Sequence, residues 1–137
     1  MAGEHVLVVD DEPAIREMLK VALEEDGYLC STASGYESAL RIISDQPFDL
    51  MLLDMVMPRH SGMELFRDVR SSHPDIAVVF ITAMPDPQVM NDVKNSGAYD
   101  YLVKPVGLDE LERVVARALE RRRARPSRGP TARLGAG

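Results

Sequence analysis

The chain has 137 residues, of which 45% are hydrophobic and 28% charged, and its formal net charge at pH 7 is −6. This length suits one domain with a buried core, and no apolar run approaches the roughly 20 residues that a membrane span needs. All 22 acidic side chains lie before residue 121, together with 10 basic ones, which gives that part a net charge of −12. Such an acidic body argues against nucleic acid as the main ligand of the folded domain.

The two ends of the chain and its cysteine content predict a cytoplasmic protein that does not enter a membrane. The N-terminus leads directly into an apolar run and lacks the basic-then-apolar pattern of a secretion signal. Cys30 is the single cysteine and cannot form an internal disulfide, which favours a reducing compartment. The segment 124–137 is rich in arginine, proline and glycine, so it is predicted to be a flexible tail or linker after one domain at 1–123.

Short apolar runs and helical periodicity alternate five times along the chain. The first run, HVLVV at 5–9, predicts a strand, and the pattern that follows predicts a helix over 12–26. Pro13 suits the first turn of that helix, and Gly27 is a typical residue to end it. The apolar residues that recur at helical spacing are Ile15, Met18, Leu19 and Ala22.

The second run, YLCST at 28–32, is more polar and is predicted to be a strand at the edge of a sheet. Ser34 and Glu37 form a capping-box pattern that would open a second helix. The apolar stripe of this helix consists of Tyr36, Ala39, Leu40 and Ile43.

The third run, FDLMLL at 48–53, predicts a strand, and Ser61 with Glu64 forms a second capping-box pattern ahead of a third helix. That helix is predicted to extend to about residue 71. The fourth run, IAVVFI at 76–81, is almost free of polar residues, as a strand buried on both faces would be.

The remaining part of the chain repeats the same alternation. Asp86 and Pro87 are predicted to begin a fourth helix that ends near residue 95, and YDYLV at 99–103 predicts a fifth strand. The last helix is striped by Leu108, Leu111, Val115, Ala118 and Leu119.

A strand–helix unit repeated five times is typical of a parallel sheet with helices on both faces, joined by right-handed crossovers. The predicted class is α/β, a flavodoxin-like, doubly wound (βα)5 sandwich of three layers. Its five-stranded parallel sheet is expected in the order 2-1-3-4-5. Sites in such sheets lie beyond the carboxyl ends of the strands.

Polar residues follow four of the predicted strands. Asp10 and Asp11 follow the first, Asp54 the third, Thr82 the fourth and Lys104 the fifth. Carboxylates this close together would repel each other, and a hard divalent cation, Mg²⁺ or in its place Mn²⁺, would relieve the repulsion. A lysine and a hydroxyl beside the metal would complement a phosphoryl group, so phosphoryl transfer to an aspartate nucleophile, Asp54, is the chemistry that the pattern favours.

The chain resembles the receiver domain of two-component response regulators, from His5 to about Arg121. The resemblance rests on four short motifs in order, VVDDE, LLDMVMP, FITA and YLVKP, at the ends of the first, third, fourth and fifth strands. It implies that Asp54 is the phosphoacceptor and that Asp10 and Asp11 hold Mg²⁺. It also implies that the backbone carbonyl of Val56 is a further metal ligand.

The same resemblance assigns roles to residues of the last two strands. Thr82 and Lys104 would bind the phosphoryl group, and Thr82 with Tyr101 would form the conformational switch. The Lys104–Pro105 peptide bond resembles one that is cis in the family. Two positions that often carry polar groups in receivers, Val56 and Met84, are apolar here, so slow self-dephosphorylation is expected. Serine at position 61, before Gly62, stands where many receivers have aspartate, and serine also caps helices.

The implied partner is a sensor histidine kinase, which would donate the phosphoryl group. A face made of the fourth helix, the fifth strand and the fifth helix would mediate homodimerisation or output contacts. An alternative is a receiver-like interaction module that works without phosphorylation, although such modules usually lack some of the five polar site residues. A Mg²⁺-dependent phosphatase would need an acid two residues after its nucleophile, where this chain has Val56.

Overall fold

The structure is a computed structural model that describes residues 3–124. Five strands alternate with five helices along this part of the chain. The strands are β1 His5–Val9, β2 Leu29–Ala33, β3 Leu50–Asp54, β4 Ala77–Thr82 and β5 Asp100–Val103. The helices are α1 Pro13–Glu25, α2 Tyr36–Asp45, α3 Gly62–Ser72, α4 Pro87–Ser96 and α5 Leu108–Ala124.

The five strands form one parallel sheet in the order β2-β1-β3-β4-β5. The predicted class and strand order are therefore confirmed. Every residue of β3 and β4 is buried, and four of the five in β1 are, as the continuous apolar runs predict. The more polar β2 lies at one edge, also as expected, and β5 lies at the other edge.

Each face of the sheet has its own hydrophobic core, because successive residues of a strand point to opposite faces. Alternate residues of β1 illustrate this: Val6 and Val8 pack with the helices α1 and α5, whereas Leu7 and Val9 pack with α2, α3 and α4. The result is a three-layer sandwich in which the loops after the strands all leave the sheet at its carboxyl edge.

Two residues of the predicted helical stripes are exposed and not buried. Met18 is 42% exposed, because the buried residues of α1 are Leu19 and Leu23, one turn apart. Leu108 is 54% exposed because it is the first residue of α5, with no earlier turn of the helix to cover it. The helical periodicity placed both in apolar stripes, and the structure buries neither of them.

The two predicted capping boxes have different outcomes. The box at α3 is confirmed: the Glu64 N–H donates to the Ser61 hydroxyl at 3.2 Å, and the Ser61 N–H donates to the Glu64 carboxylate at 2.9 Å. The box predicted at Ser34 is wrong, because α2 begins one residue later and its N-cap is Gly35. There the Ser38 hydroxyl bonds to the backbone N–H and C=O of Gly35, both at 3.2 Å.

The last helix extends further than the arginine-rich composition suggests. Arg121, Arg122 and Arg123 belong to α5, which ends at Ala124. The rest of the predicted tail lies outside the described residues. Within residues 3–124, no helix is both long enough and apolar enough to span a bilayer.

Candidate functional site

The polar residues singled out in the sequence meet at the carboxyl edge of the sheet. Asp54 and Thr82 are the last residues of β3 and β4, which are adjacent strands. Asp10 directly follows β1, on the other side of β3, and Lys104 directly follows β5. The backbone joins the last two strands here, since the Lys104 N–H donates to the Thr82 carbonyl at 2.9 Å.

The loop after β1 holds one buried and one exposed carboxylate. Asp10 is fully buried, and its Oδ1 accepts a hydrogen bond from the Glu12 N–H at 2.9 Å. Arg16, one turn into α1, donates to the Asp10 carbonyl oxygen at 2.7 Å and so fixes the loop to the helix. Asp11 is exposed. Together these contacts aim the Asp10 side chain inward and leave that of Asp11 at the surface.

Asp54 is a nearly buried carboxylate, with 4% of its surface exposed. Its Oδ1 accepts from the Val56 N–H at 3.2 Å, and its Oδ2 lies 3.3 Å from the Lys104 ammonium. Burial raises the pKa of the Asp54 carboxyl above its usual value, and the Asp10 charge raises it further. The Val56 N–H and the Lys104 ammonium oppose this shift by favouring the ionised carboxylate.

The ammonium group of Lys104 is shared by three carboxylates. Its Nζ lies 3.1 Å from Asp10 Oδ2, 3.3 Å from Asp54 Oδ2 and 3.3 Å from Glu12 Oε1. Burial acts to lower the pKa of the Lys104 amine, but the contacts with Asp10 and Asp54 prevail and raise it. The lysine therefore stays charged. The peptide bond between Lys104 and Pro105 is cis.

The donor set fits a divalent cation. One oxygen from each of Asp10, Asp11 and Asp54 can be chosen so that all three lie within 4.8 Å of one another. Asp10 Oδ2 is buried and accepts no hydrogen bond among the described residues, since its contact with Lys104 lacks hydrogen-bond geometry. The Lys104 ammonium offsets part of the cost of burying this oxygen, and the oxygen keeps acceptor capacity for a metal, since carboxylate oxygens are the ligands that Mg²⁺ prefers.

Thr82 and Tyr101 occupy the neighbouring strands. Thr82 is 2% exposed, and its hydroxyl accepts from the Met84 N–H at 3.1 Å. Tyr101 is half-buried on β5 and packs against the core that faces α2, α3 and α4. By contrast, Val56 and Met84 are 71% and 69% exposed, and each lies two residues beyond the end of its strand.

Two further residues shape the site, and the sequence interpretation gave neither of them a role. Glu12 contributes the third carboxylate to Lys104, and its position directly after Asp10 and Asp11 was the available signal. Gly62 lies so close to β3 that a Cβ there would be 2.2 Å from the Asp54 carbonyl oxygen. A glycine at the first position of α3 was visible in the sequence, but the close approach was not.

A doubly wound α/β domain with an acidic cluster and a lysine at the carboxyl edge of its sheet is the class that this fold and site define. The model of the response regulator receiver domain family matches residues 6–116. The chain belongs to this family, whose members are signalling switches in two-component systems.

Relatives with curated names agree with this family. The chain is 35% identical over 130 residues to the response regulator protein PilR of Pseudomonas aeruginosa. This match covers 95% of this chain and 29% of PilR. It is 35% identical over 128 residues to the DNA-binding transcriptional regulator NtrC of Rhizobium meliloti, covering 93% of this chain and 26% of NtrC. The chain thus spans less than a third of the length of these two proteins.

A solved structure gives the same result in three dimensions. The response regulator TrrA of Thermotoga maritima, in complex with Mg²⁺-BeF, is 37% identical to this chain with a TM-score of 0.76. The match covers 84% of this chain and 98% of TrrA, so the resemblance extends over nearly the whole of that domain.

Proposed function

We propose that this chain is the phosphoacceptor domain of a response regulator and that it takes a phosphoryl group from a sensor histidine kinase onto Asp54. The observation that carries this proposal is the Lys104 ammonium lying within 3.3 Å of both the Asp54 and the Asp10 carboxylates. One charged lysine among buried acids would serve to neutralise an incoming phosphoryl group.

The transfer forms one bond and breaks one. An Asp54 oxygen attacks the phosphorus of a phosphohistidine, the N–P bond breaks, and the leaving imidazole nitrogen keeps the electron pair and takes up a proton. Attack requires the ionised carboxylate, which the Val56 N–H and the Lys104 ammonium favour. The Thr82 hydroxyl, on the adjacent strand, would bind a phosphoryl oxygen.

Mg²⁺, or Mn²⁺ in its place, would supply charge neutralisation and orientation for this transfer. Asp10, Asp11 and Asp54 would hold it, with the backbone carbonyl of Val56 as the remaining protein ligand. The buried Asp10 Oδ2, which accepts no hydrogen bond from residues 3–124, supports this set, as does the Mg²⁺-BeF complex of TrrA.

The switch would involve α4, because this helix has the fewest buried residues of the five helices. Val93 is its one buried residue, whereas five residues of α5 are buried. Few buried contacts mean a low cost of moving an element. Phosphorylation would draw Thr82 toward the phosphoryl group, turn Tyr101 inward and shift α4 and β5, altering a homodimer or output face that also includes α5.

We also propose a cytoplasmic receiver domain at residues 1–123, followed by a flexible tail or linker at 124–137. NtrC is a DNA-binding transcriptional regulator by name. Control of a DNA-binding output domain is therefore the role we propose, with the acidic receiver itself making no contact to nucleic acid.

The exposed apolar side chains of Val56 and Met84 would leave an attacking water without a polar partner. The phosphoryl group should consequently persist on Asp54, and replacing Met84 with glutamate should shorten its lifetime. The lifetime can be measured by following the loss of phosphoprotein after the phosphodonor is removed. Equal lifetimes in wild type and Met84→Glu would contradict this expectation.

The proposal is tested by incubation with acetyl phosphate and Mg²⁺, followed by intact-mass measurement. Wild type should gain one phosphoryl mass, which chelation of Mg²⁺ should abolish. Asp54→Asn should gain none, while Asp45→Asn, which alters an exposed aspartate at the end of α2, should behave like wild type. Persistence of the added mass at the same site in Asp54→Asn would overturn the assignment.

A further inference from the structure

Glu12 lies at the site without belonging to the acidic cluster that could hold a cation. It is the N-cap of α1, and its backbone N–H donates to Asp10 Oδ1 at 2.9 Å. Its side chain is 59% exposed, and its Oε1 lies 3.3 Å from the Lys104 Nζ. The three cation-binding candidates are Asp10, Asp11 and Asp54, so Glu12 interacts with the site only through the lysine.

The three carboxylates that contact Lys104 would respond differently when the site is loaded, that is, when it holds a cation and a phosphoryl group on Asp54. Asp10 and Asp54 are buried and would share a cation, which would then supply the positive charge that the lysine supplies at rest. Glu12 has no such replacement, because Lys104 is its one ion-pair partner among residues 3–124. Its attraction for the lysine therefore remains when the other two attractions weaken.

A phosphoryl group on Asp54 adds negative charge beside Lys104 and would draw the ammonium toward itself. Glu12 would oppose this in two ways, because its carboxylate attracts the same ammonium and repels the new anion. Both effects act on the loaded state more strongly than on the resting state.

We propose that Glu12 is a positioning residue that competes with the phosphoryl group for Lys104 and so limits the stability of the phosphorylated state. The proposal rests on the proposed function of Asp54. Glu12 holds the ammonium near the rim at rest and must give it up when the site is loaded. Because Glu12 is more than half exposed, water and salt weaken its contribution, and removal of its charge should have a modest effect.

Beryllofluoride with Mg²⁺, the combination present in the TrrA complex, provides an equilibrium probe of this competition. Calorimetric titration should show that Glu12→Gln binds beryllofluoride about two- to fivefold more tightly than wild type at low ionic strength. The gain should shrink as salt is added, since the effect is electrostatic. A purely structural effect of the substitution would not show this salt dependence.

Glu25→Gln is the matched control. Glu25 is the last residue of the same helix, is exposed, and lies about 20 Å along the axis from Glu12, so the substitution changes the net charge equally without touching the site. Its beryllofluoride affinity should equal that of wild type. An equal gain in both variants would overturn the proposal by attributing the gain to net charge.

The possible outcomes separate this inference from the function on which it rests. If wild type fails to bind beryllofluoride in the presence of Mg²⁺, or if Asp54→Asn binds it equally well, the proposed function fails. If wild type binds and Glu12→Gln binds no more tightly, the competition fails while the function stands. Glu12→Ala should give the same result as Glu12→Gln, and a thermal melt of each Glu12 variant establishes that it is folded.

Discussion

The amino edge of the sheet, where the strands begin, and its carboxyl edge, where the strands end, differ in how their charges are paired. At the amino edge, the arginines of α5 meet individual partners: Arg122 lies 3.2 Å from Asp49 Oδ1 and also donates to the Asp75 carbonyl, while Arg123 pairs with Glu4. At the carboxyl edge, a single lysine serves three carboxylates, two of them buried. The same sheet therefore has one edge whose charges are paired for stability and one whose charges are left in excess.

This difference indicates where the molecule gives up stability for function. Buried like charges destabilise a folded protein unless something arrives to neutralise them, and an edge intended only for stability would not keep them. The excess of acid at the carboxyl edge would attract a divalent cation, and the cation would in turn neutralise the charge of a phosphoryl group. The predictions below test the contrast, from the largest expected effect to the smallest.

The largest effect is expected for Gly62→Ala, which tests whether the carboxyl edge depends on close backbone approach. An added Cβ would lie 2.2 Å from the Asp54 carbonyl oxygen and 2.9 Å from the Met55 Cα, both backbone atoms that cannot move aside alone. The free energy of unfolding should fall by about 3 kcal/mol, at the upper end of overpacking effects. Denaturant unfolding provides the measurement.

Gly35→Ala is the control for this prediction. A Cβ at Gly35 would have open space around it, and the φ of 179° is extended backbone that any residue adopts. Its unfolding free energy should fall by no more than about 1 kcal/mol, which is the order of the cost of alanine at an N-cap. A similar loss in both glycine variants would mean that the close approach at Gly62 is not the cause.

The second prediction makes the same chemical change at both edges. Asp54→Asn should raise the free energy of unfolding by about 1 kcal/mol in magnesium-free buffer, because it removes one charge from a crowded and buried cluster. Asp49→Asn should lower it by about 1 to 2 kcal/mol, because Asp49 accepts from the His5 N–H at 2.8 Å and pairs with Arg122. Changes of the same sign in the two variants would refute the contrast between the edges.

The sequence predicts the carboxyl edge better than the amino edge, and the reason lies in the topology. Once five βα units are recognised, the residue after each strand must lie at one edge, so Asp10, Asp54, Thr82 and Lys104 could be brought together without knowing any side-chain contact. The continuous apolar runs also fixed which strands are central, as the burial of β3 and β4 confirms.

Contacts that depend on where a long side chain reaches could not be predicted. The ion pair of Arg122 is one example, because nothing in the sequence indicates that the end of α5 lies beside Asp49, which precedes it by more than 70 positions. The cap of α2 was missed for a related reason. Ser34 and Ser38 both offer a hydroxyl, and the backbone geometry at Gly35 decides between them.

The third prediction concerns the paired charges of the amino edge. Arg122→Gln should lower the free energy of unfolding by about 1 kcal/mol, since it removes a half-buried ion pair and a hydrogen bond to the Asp75 carbonyl. Arg113→Gln is the control, because Arg113 is exposed on the same helix and makes no ion pair or hydrogen bond with residues 3–124. Neither substitution should alter the affinity for beryllofluoride, and a weakened affinity in Arg122→Gln would show that the edges are not independent.

The smallest effect is expected at Cys30, which lies on β2 away from the charged groups of both edges. Burial raises the pKa of its thiol from an ordinary value of 9.0 to about 12, with a further rise from Glu24 and a partial offset from Lys20. Folding therefore favours the neutral thiol, so its contribution to stability is complete below pH 9 and is lost as the pH rises toward 12. Relative to Cys30→Ala, wild type should lose stability over that range and not below it.

The thiol also gives a direct kinetic measurement of the same pKa. The thiolate is the reactive form, so alkylation by iodoacetamide at pH 8.5 should be at least about tenfold slower in the folded protein than in the denatured chain. Following the mass of the alkylated product over time measures both rates, and Cys30→Ala should acquire no label. Equal rates in the folded and denatured chains would mean that the half-buried thiol of Cys30 is as accessible and as readily ionised in the folded protein as in the denatured chain. Burial, the largest cause of the raised pKa, would then be too weak at this position of the sheet to favour the neutral thiol.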